Sequence, residues 1–336
     1  MNMTGIELNV GPLLYWWPRN ALLDFYAQLA DAPVQGIVLG ELVCSRRNEI
    51  KFEDWLAIAR ELRAAGKDVR LATMALVMSE AELRSLRRVC EQDEFPVEAG
   101  DAGALAVLAR CGNKPFTLGP HLNVYNADAL QEHAQLGANR WVAPVELSLD
   151  AVARINPQPS AIATEVWGFG RLPLAFSARC FTARHYRLQK DDCQFRCRDD
   201  ADGLLLTTGE GEPFLALNGI QTQSAALQCL IAQGDAVREA GVGRLRLSPC
   251  GNAFTEVVSL FDAVFRQGKD GHVALAEMRQ LPLPGRLVDG FARREPGLVE
   301  AAQSAVTGFL EDYYCTSDAW SVRKSGEHVL TATNSW

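Results

Sequence analysis

"GIVLGELVCSRRNEIKFEDWLAIARELRAAGKDVRLATMAL", residues 36–76, carries the rhythm that decides the fold. "GIVLG" is a short apolar run ending in glycine and reads as a buried strand. Behind it Phe52, Trp55, Leu56, Ala59 and Leu62 share one face of a helix. "DVRLATMAL" then returns to strand character. It precedes a helix from about Ser79, where Ser79 and Glu82 form the pattern of a capping box. Working outward, "IELNVGPLL" is followed by a helix with Leu22, Phe25, Tyr26 and Leu29 on one side. "PVEAG", "PFTLGPHLNVY" and "RWVAPVEL" each have a helical stretch behind them. Six β-then-α units with short Gly, Asn or Asp links imply a parallel sheet. The absence of a Gly-rich dinucleotide turn favours a closed barrel over a doubly wound sheet.

The rhythm breaks after "TEVWGFGRLPLAF". Residues 178–225 are polar and charged, with "LLLTTGEGEPFLAL" patterned as a hairpin, and read as an insertion that carries cysteines. A last unit follows: "AVREAG", the strand "GRLRLSP" and a helix bearing Val257, Val258, Phe261, Val264 and Phe265. From about residue 270 the chain is punctuated by Gly and Pro. The expectation is an α/β, (β/α) barrel-like domain of the TIM-barrel type over residues 1–300, including segment 178–225. A short C-terminal extension, residues 301–336, is expected to be loosely ordered at its end.

A formal net charge of -8 disfavours broad nucleic-acid binding, which normally requires a basic excess. The first residues carry no Lys or Arg ahead of their apolar positions and do not read as a signal peptide. No apolar run approaches the ~18 residues of a membrane span. A cytoplasmic, reducing setting is therefore expected, in which the nine cysteines are buried thiols or metal ligands rather than disulfides.

Position sorts those cysteines. Cys90, Cys111 and Cys229 lie in apolar or helix-end contexts and read as core residues. Cys315 stands without helpers in the polar tail. Cys250, in "LSPCGNAF", follows a strand, yet the structural reading is preferred there too. Cys180, Cys193 and Cys197 form C-x12-C-x3-C among Arg179, Arg184, Arg187, Lys190, Arg196 and Arg198. Cys44, flanked by Arg46 and Arg47, stands just past a strand. In a barrel, strand C-termini gather on one face, so Cys44 is the natural fourth thiol. Structural zinc usually takes paired C-x2-C knuckles, which are missing, so an iron–sulfur cluster is preferred over zinc, with zinc left open. HExxH, G-x-S-x-G and P-loop patterns are absent. His121 in "GPHLN" and His185 are the histidines nearest the candidate loops, and a hydrogen-bonded structural role is the simpler reading of each.

"EVWGFGRLPLAFSARC", Glu165 to Cys180, followed by "DDCQFRC", resembles the signature of the collagenase-like peptidase U-family. With "GELVCSRR", "GPHLNVYN" and "DGFARREPG", the match extends to about residue 300. Within that family it resembles the branch of oxygen-independent ubiquinone biosynthesis. The resemblance implies a barrel and a 4Fe–4S cluster on Cys44, Cys180, Cys193 and Cys197. It also implies hydroxylation of the aromatic ring of a prenylated ubiquinone precursor, in a heterodimer with a second family member. A lipid-carrier protein could deliver that precursor, and prephenate is a candidate hydroxyl source. Phe169 and Pro173 stand where many relatives have His and Cys; Cys44 makes up the ligand number. The alternatives are an RNA-hydroxylating relative, a cluster-stabilised scaffold without its own site, and a zinc-dependent peptidase. Glu165 and Asn123 are polar candidates for the mouth, with an arginine pair and a loop cap as their structural readings. No residue is assigned a catalytic role.

Overall fold

A computed structural model describes residues 5–112 and 114–301. The strands are β1 Glu7–Val10, β2 Gly36–Leu39, β3 Asp68–Ala72, β4 Val97–Ala99, β5 Phe116–Leu118, β6 Ala138–Val142, β7 Ala163–Phe176, β8 Leu204–Thr207, β9 Pro213–Asn218, β10 Gln221–Cys229, β11 Arg244–Leu247 and β12 Leu287–Val288. The helices are α1 Arg19–Asp31, α2 Phe52–Ala64, α3 Glu80–Glu91, α4 Ala102–Leu108, α5 Ala127–Gln135, α6 Leu149–Ile155, α7 Phe181–His185, α8 Gly234–Glu239, α9 Phe254–Phe265 and α10 Gly271–Met278. Strands β1 to β7 pair in sequence order, all parallel, and β11 closes the ring between β7 and β1. The result is the expected eight-stranded parallel barrel with alternating helices.

Both faces of the barrel strands are largely buried, but in different surroundings. Leu8, Val10, Ile37, Leu39, Val69, Leu71, Phe116, Leu118 and Trp141 pack outward against Leu22, Leu29, Ala59, Leu62 and their helical neighbours. Each such side chain contributes ~1.5–3 kcal/mol by leaving water. Helix starts are fixed locally: Ser79, Asp101, Asn126, Ser148 and Asp270 each accept a backbone N–H from the first turn with their side chains. At Ser79 only half of the expected capping box forms. Its hydroxyl accepts the Glu82 N–H at 3.2 Å, whereas the Glu82 carboxylate is drawn to the Ser45 hydroxyl and the Met78 N–H, both at 2.7 Å. The side chain that would close the box instead ties α3 to the Cys44 loop.

Alternate positions on the same strands fill the barrel with polar groups. Arg246 on β11 reaches across to Glu98 on β4 with two bonds of 2.7 and 2.5 Å, and donates to Glu165 on β7 at 2.6 Å. Asn9 on β1 adds a bond of 2.8 Å to the same Glu165 oxygen. Arg70, Thr117 and Arg140 are buried beside them. Above this ionic layer lies an apolar one formed by Val38, Ala72 and Trp167 with Leu14, Leu42, Val43, Val145, Leu172 and Ile220.

β7 is 14 residues long and overruns the barrel. Its first part pairs with β6 and β11; its last part pairs antiparallel with β10, from Phe176↔Gln221 to Phe169↔Cys229. β8 and β9 form the expected hairpin and extend this sheet through β10. The inserted structure thus continues past residue 225, because β10 returns along β7 to the end of Cys229. Similarly, the punctuated region after residue 270 contains α10 and β12. The expectations for residues 302–336, Cys315 included, lie outside the described residues.

Candidate functional site

The four candidate thiols arrive from two places. Cys44 lies in the loop after β2, where the Val43 and Cys44 backbone N–H groups both donate to Glu41 Oε1 at 2.9 Å. Cys180 caps α7, its sulfur accepting the Ala183 N–H at 3.4 Å. Cys193 follows a short 3-10 turn at Lys190–Asp192, and Cys197 sits inside the next one, Arg196–Arg198. Cys44 and Cys180 pack on the same apolar layer over the barrel. Arg46 locks the β2 loop to the cysteine segment. It donates to the Lys190 carbonyl at 2.5 Å and lies over Phe195 at 5.4 Å.

Cys197 is the thiol that senses the others. Burial raises its pKa, Arg47 opposes that rise by charge and by a hydrogen bond, and the neighbouring Cys180 and Cys193 add to it. Cys44 is pushed up to about 11, mainly by burial, with Cys197 among the contributing charges. Cys197 thus lies within electrostatic reach of Cys44, Cys180 and Cys193, and all four are partly buried. Among the described residues no group of three or more His, Cys, Asp or Glu side chains is placed to hold a metal ion. A single zinc ion with Zn–S bonds of ~2.3 Å demands a tight tetrahedron of sulfurs. An iron–sulfur cluster spreads its metal atoms and takes thiolates from wider positions. The donor chemistry fits the latter: four soft ligands, partly desolvated, with one cation beneath them.

That cation is Arg47, and the sequence did not separate it from Arg46. Arg47 is 4% exposed. Its guanidinium donates to the Leu14 carbonyl at 2.7 Å and to Asn218 Oδ1 at 2.6 Å, while Asn218 returns a bond to the Leu14 carbonyl at 2.6 Å. Gly219, at φ +66°, follows Asn218; a Cβ there would stand 3.0 Å from Arg47 Nη2. The turn between β9 and β10 is thereby shaped to hold the arginine. The remaining basic residues behave as a solvated rim: Arg179, Arg184, Arg187, Arg196 and Arg198 are exposed, Arg196 pairing with Asp199 and Arg198 with Glu49. Phe195, between the last two cysteines, packs edge-on against Trp16 at 4.8 Å and covers the segment.

The other candidates lie elsewhere. Glu165 is fully buried inside the barrel. Burial alone would raise its pKa, but Arg246, Arg140 and the bonds from Asn9 and Arg246 hold it below the usual carboxylate range. Asn123 takes the left-handed conformation, φ 56°, closing a 3-10 turn after β5. His121 sits against Phe176 at 4.7 Å, and His185 is exposed beside Tyr186. Phe169 is core, packed on Phe261, and Pro173 lies opposite Gln223 where the β7–β10 register shifts. Cys90, Cys229 and Cys250 are buried.

Fold and site together define a (β/α)8-barrel protein whose mouth gathers cysteines over a buried arginine. The chain belongs to peptidase family U32, whose family model matches residues 19–274. Among solved structures it is similar to a U32 peptidase, at 13% identity over 75% of this chain and 96% of that one, with a TM-score of 0.42. It is also similar to a phospho-2-dehydro-3-deoxyheptonate aldolase from Thermotoga maritima, at 12% identity over 82% of this chain and 69% of that one, with a TM-score of 0.38.

Proposed function

We propose that the chain is the iron–sulfur subunit of an oxygen-independent hydroxylase of the UbiV type, acting with UbiU on the aromatic ring of prenylated ubiquinone precursors in the cytoplasm. Cys44, Cys180, Cys193 and Cys197 would ligate a 4Fe–4S cluster. The observation that supports this reading is that Arg46 ties the Cys44 loop at the β2 end to the cysteine segment after β7, with Cys44 and Cys180 packed on one apolar layer. When bound, such a cluster supplies one-electron transfer. The protein's part is to hold the four thiols, to make bare thiolates costly by burial at Cys44 and Cys197, to offset charge with Arg47, and to cover the segment with Phe195 and Trp16. Among the described residues no helix is long and apolar enough to cross a membrane, so a prenylated substrate would be met at a surface or on a carrier protein.

Anaerobic purification with iron and sulfide counting and a visible spectrum tests the reading. Four irons and four sulfides per chain are expected, lost equally in Cys44→Ala and Cys193→Ala. Zinc without iron overturns it, and chelator-sensitive cleavage of a protein substrate would restore the peptidase alternative. Co-purification with UbiU tests the partner.

A further inference from the structure

A cavity opens at the barrel mouth, built from the loops after β5 and β6 and the overrunning end of β7. Its volume is about 280 Å³, near the lower end of small-molecule pockets, which suits one substituted ring. It shares a wall with the cysteine site: Ala75, Val145, Leu174 and Phe176 line it and belong to the apolar layer on which Cys44 and Cys180 rest.

The polar groups are few. His121 meets the edge of Phe176 and has no hydrogen-bond partner among the described residues. Burial, reinforced by the charge of Arg246, pushes its pKa down to about 3, which favours the neutral imidazole with one donor and one acceptor. Across the opening, the Tyr125 hydroxyl donates to Glu146 at 3.1 Å, leaving the phenol oxygen as an acceptor. Glu146 is the one charged residue of the lining, which contains no lysine or arginine. A dicarboxylate would meet repulsion without a counter-charge. An ammonium would give up its hydration for a single carboxylate that already accepts from Tyr125 at Oε2. An uncharged ring bearing a hydroxyl meets none of these costs, because Pro120, Pro173 and Phe176 give it apolar faces and His121 can take its hydroxyl proton in a hydrogen bond.

We propose that this cavity is the seat of an uncharged phenolic ring, and that any anionic co-substrate binds outside it. The assignment of that ring to the substrate of the cysteine site rests on the proposed function; the binding itself does not.

The test is calorimetric titration of the anaerobically purified protein with 2-allylphenol, phthalate and benzylamine as ring probes of neutral, negative and positive charge. Saturable binding of 2-allylphenol is expected, at least about tenfold tighter than either charged probe. Ala175→Trp, at an exposed position of the rim, should weaken it by about tenfold or more; His121→Phe should weaken it by roughly fivefold through the lost hydrogen bond. Circular dichroism and iron content in each variant separate this result from a failure of folding or of the cluster assignment. Absence of saturable phenol binding, tighter binding of phthalate or benzylamine, or phenol affinity unchanged in folded Ala175→Trp overturns the proposal. Cytidine binding in place of 2-allylphenol overturns it in favour of a nucleobase site.

Discussion

Arg246→Met probes the ionic layer that fills the barrel. The substitution keeps the length and much of the volume of the side chain but removes the cation between two carboxylates, Glu98 and Glu165, that are 1% and 0% exposed. Breaking a buried pair in this way costs ~3–5 kcal/mol, because the uncompensated charge stays behind. For a chain of 336 residues that is a fall of roughly 4–7 °C in melting temperature at neutral pH. The pH dependence supplies the sharper test. In the native protein Glu165 is held below its unfolded value, so its contribution is present above the ordinary carboxylate pKa and lost as pH falls through the depressed one. Without Arg246, burial acts on Glu165 with Arg140, 4.0 Å away, the charge of Arg70 and the bond from Asn9 left to oppose it. Its pKa rises, and the carboxyl can take up a proton in mildly acidic solution. The destabilisation should therefore be largest near pH 8 and shrink towards pH 5. Thermal melts followed by circular dichroism at pH 5, 6, 7 and 8 read it directly. A loss below about 1 kcal/mol, or one that grows as pH falls, would refute the account of the barrel interior.

Arg47→Met should lower iron retention during anaerobic gel filtration far more than Arg46→Met, because only Arg47 is buried beside Cys197; equal retention in the two variants would contradict the role given to Arg47. Gly219→Ala combines a strained φ with a 3.0 Å approach to Arg47 and should cost about 1–2 kcal/mol, visible as a lower melting temperature. Ser79→Ala removes the acceptor for the Glu82 N–H and should cost about 1 kcal/mol in the same assay. Cys250→Ser, at a buried thiol donating to the Asn252 carbonyl, should leave the iron count unchanged.

The limits of the sequence reading have a physical origin. Alternation and helical period are local, so the β-then-α units and the outward core faces are legible in any stretch such as residues 36–76. The barrel interior is not. Arg70, Glu98 and Arg246 occupy alternate strand positions, and a polar residue there has the same pattern whether it meets water or the inside of a closed barrel. Only closure, which sets β11 opposite β4, turns Arg246 and Glu98 into a pair 148 positions apart. Arg46 and Arg47 pose the same problem in an irregular loop, which has no period at all. Their fates are decided by Lys190, 144 positions away, for one and by Asn218, 171 positions away, for the other. The choice of the fourth thiol follows this logic. Cys44 and Cys250 both stand just past barrel strands, so the strand-end rule selects either. Cys250 turns to the Asn252 carbonyl and lines a different cavity, with Trp17 and Ala201. Cys44 faces the cysteine segment because the β9–β10 turn, through Asn218 and Gly219, folds back over the β2 end and fixes Arg47 there. In the proposed cluster site, the insertion rather than the barrel determines which strand end supplies the fourth thiol. A chain that kept all four cysteines but lost the Asn218–Gly219 turn would keep the barrel and lose the site.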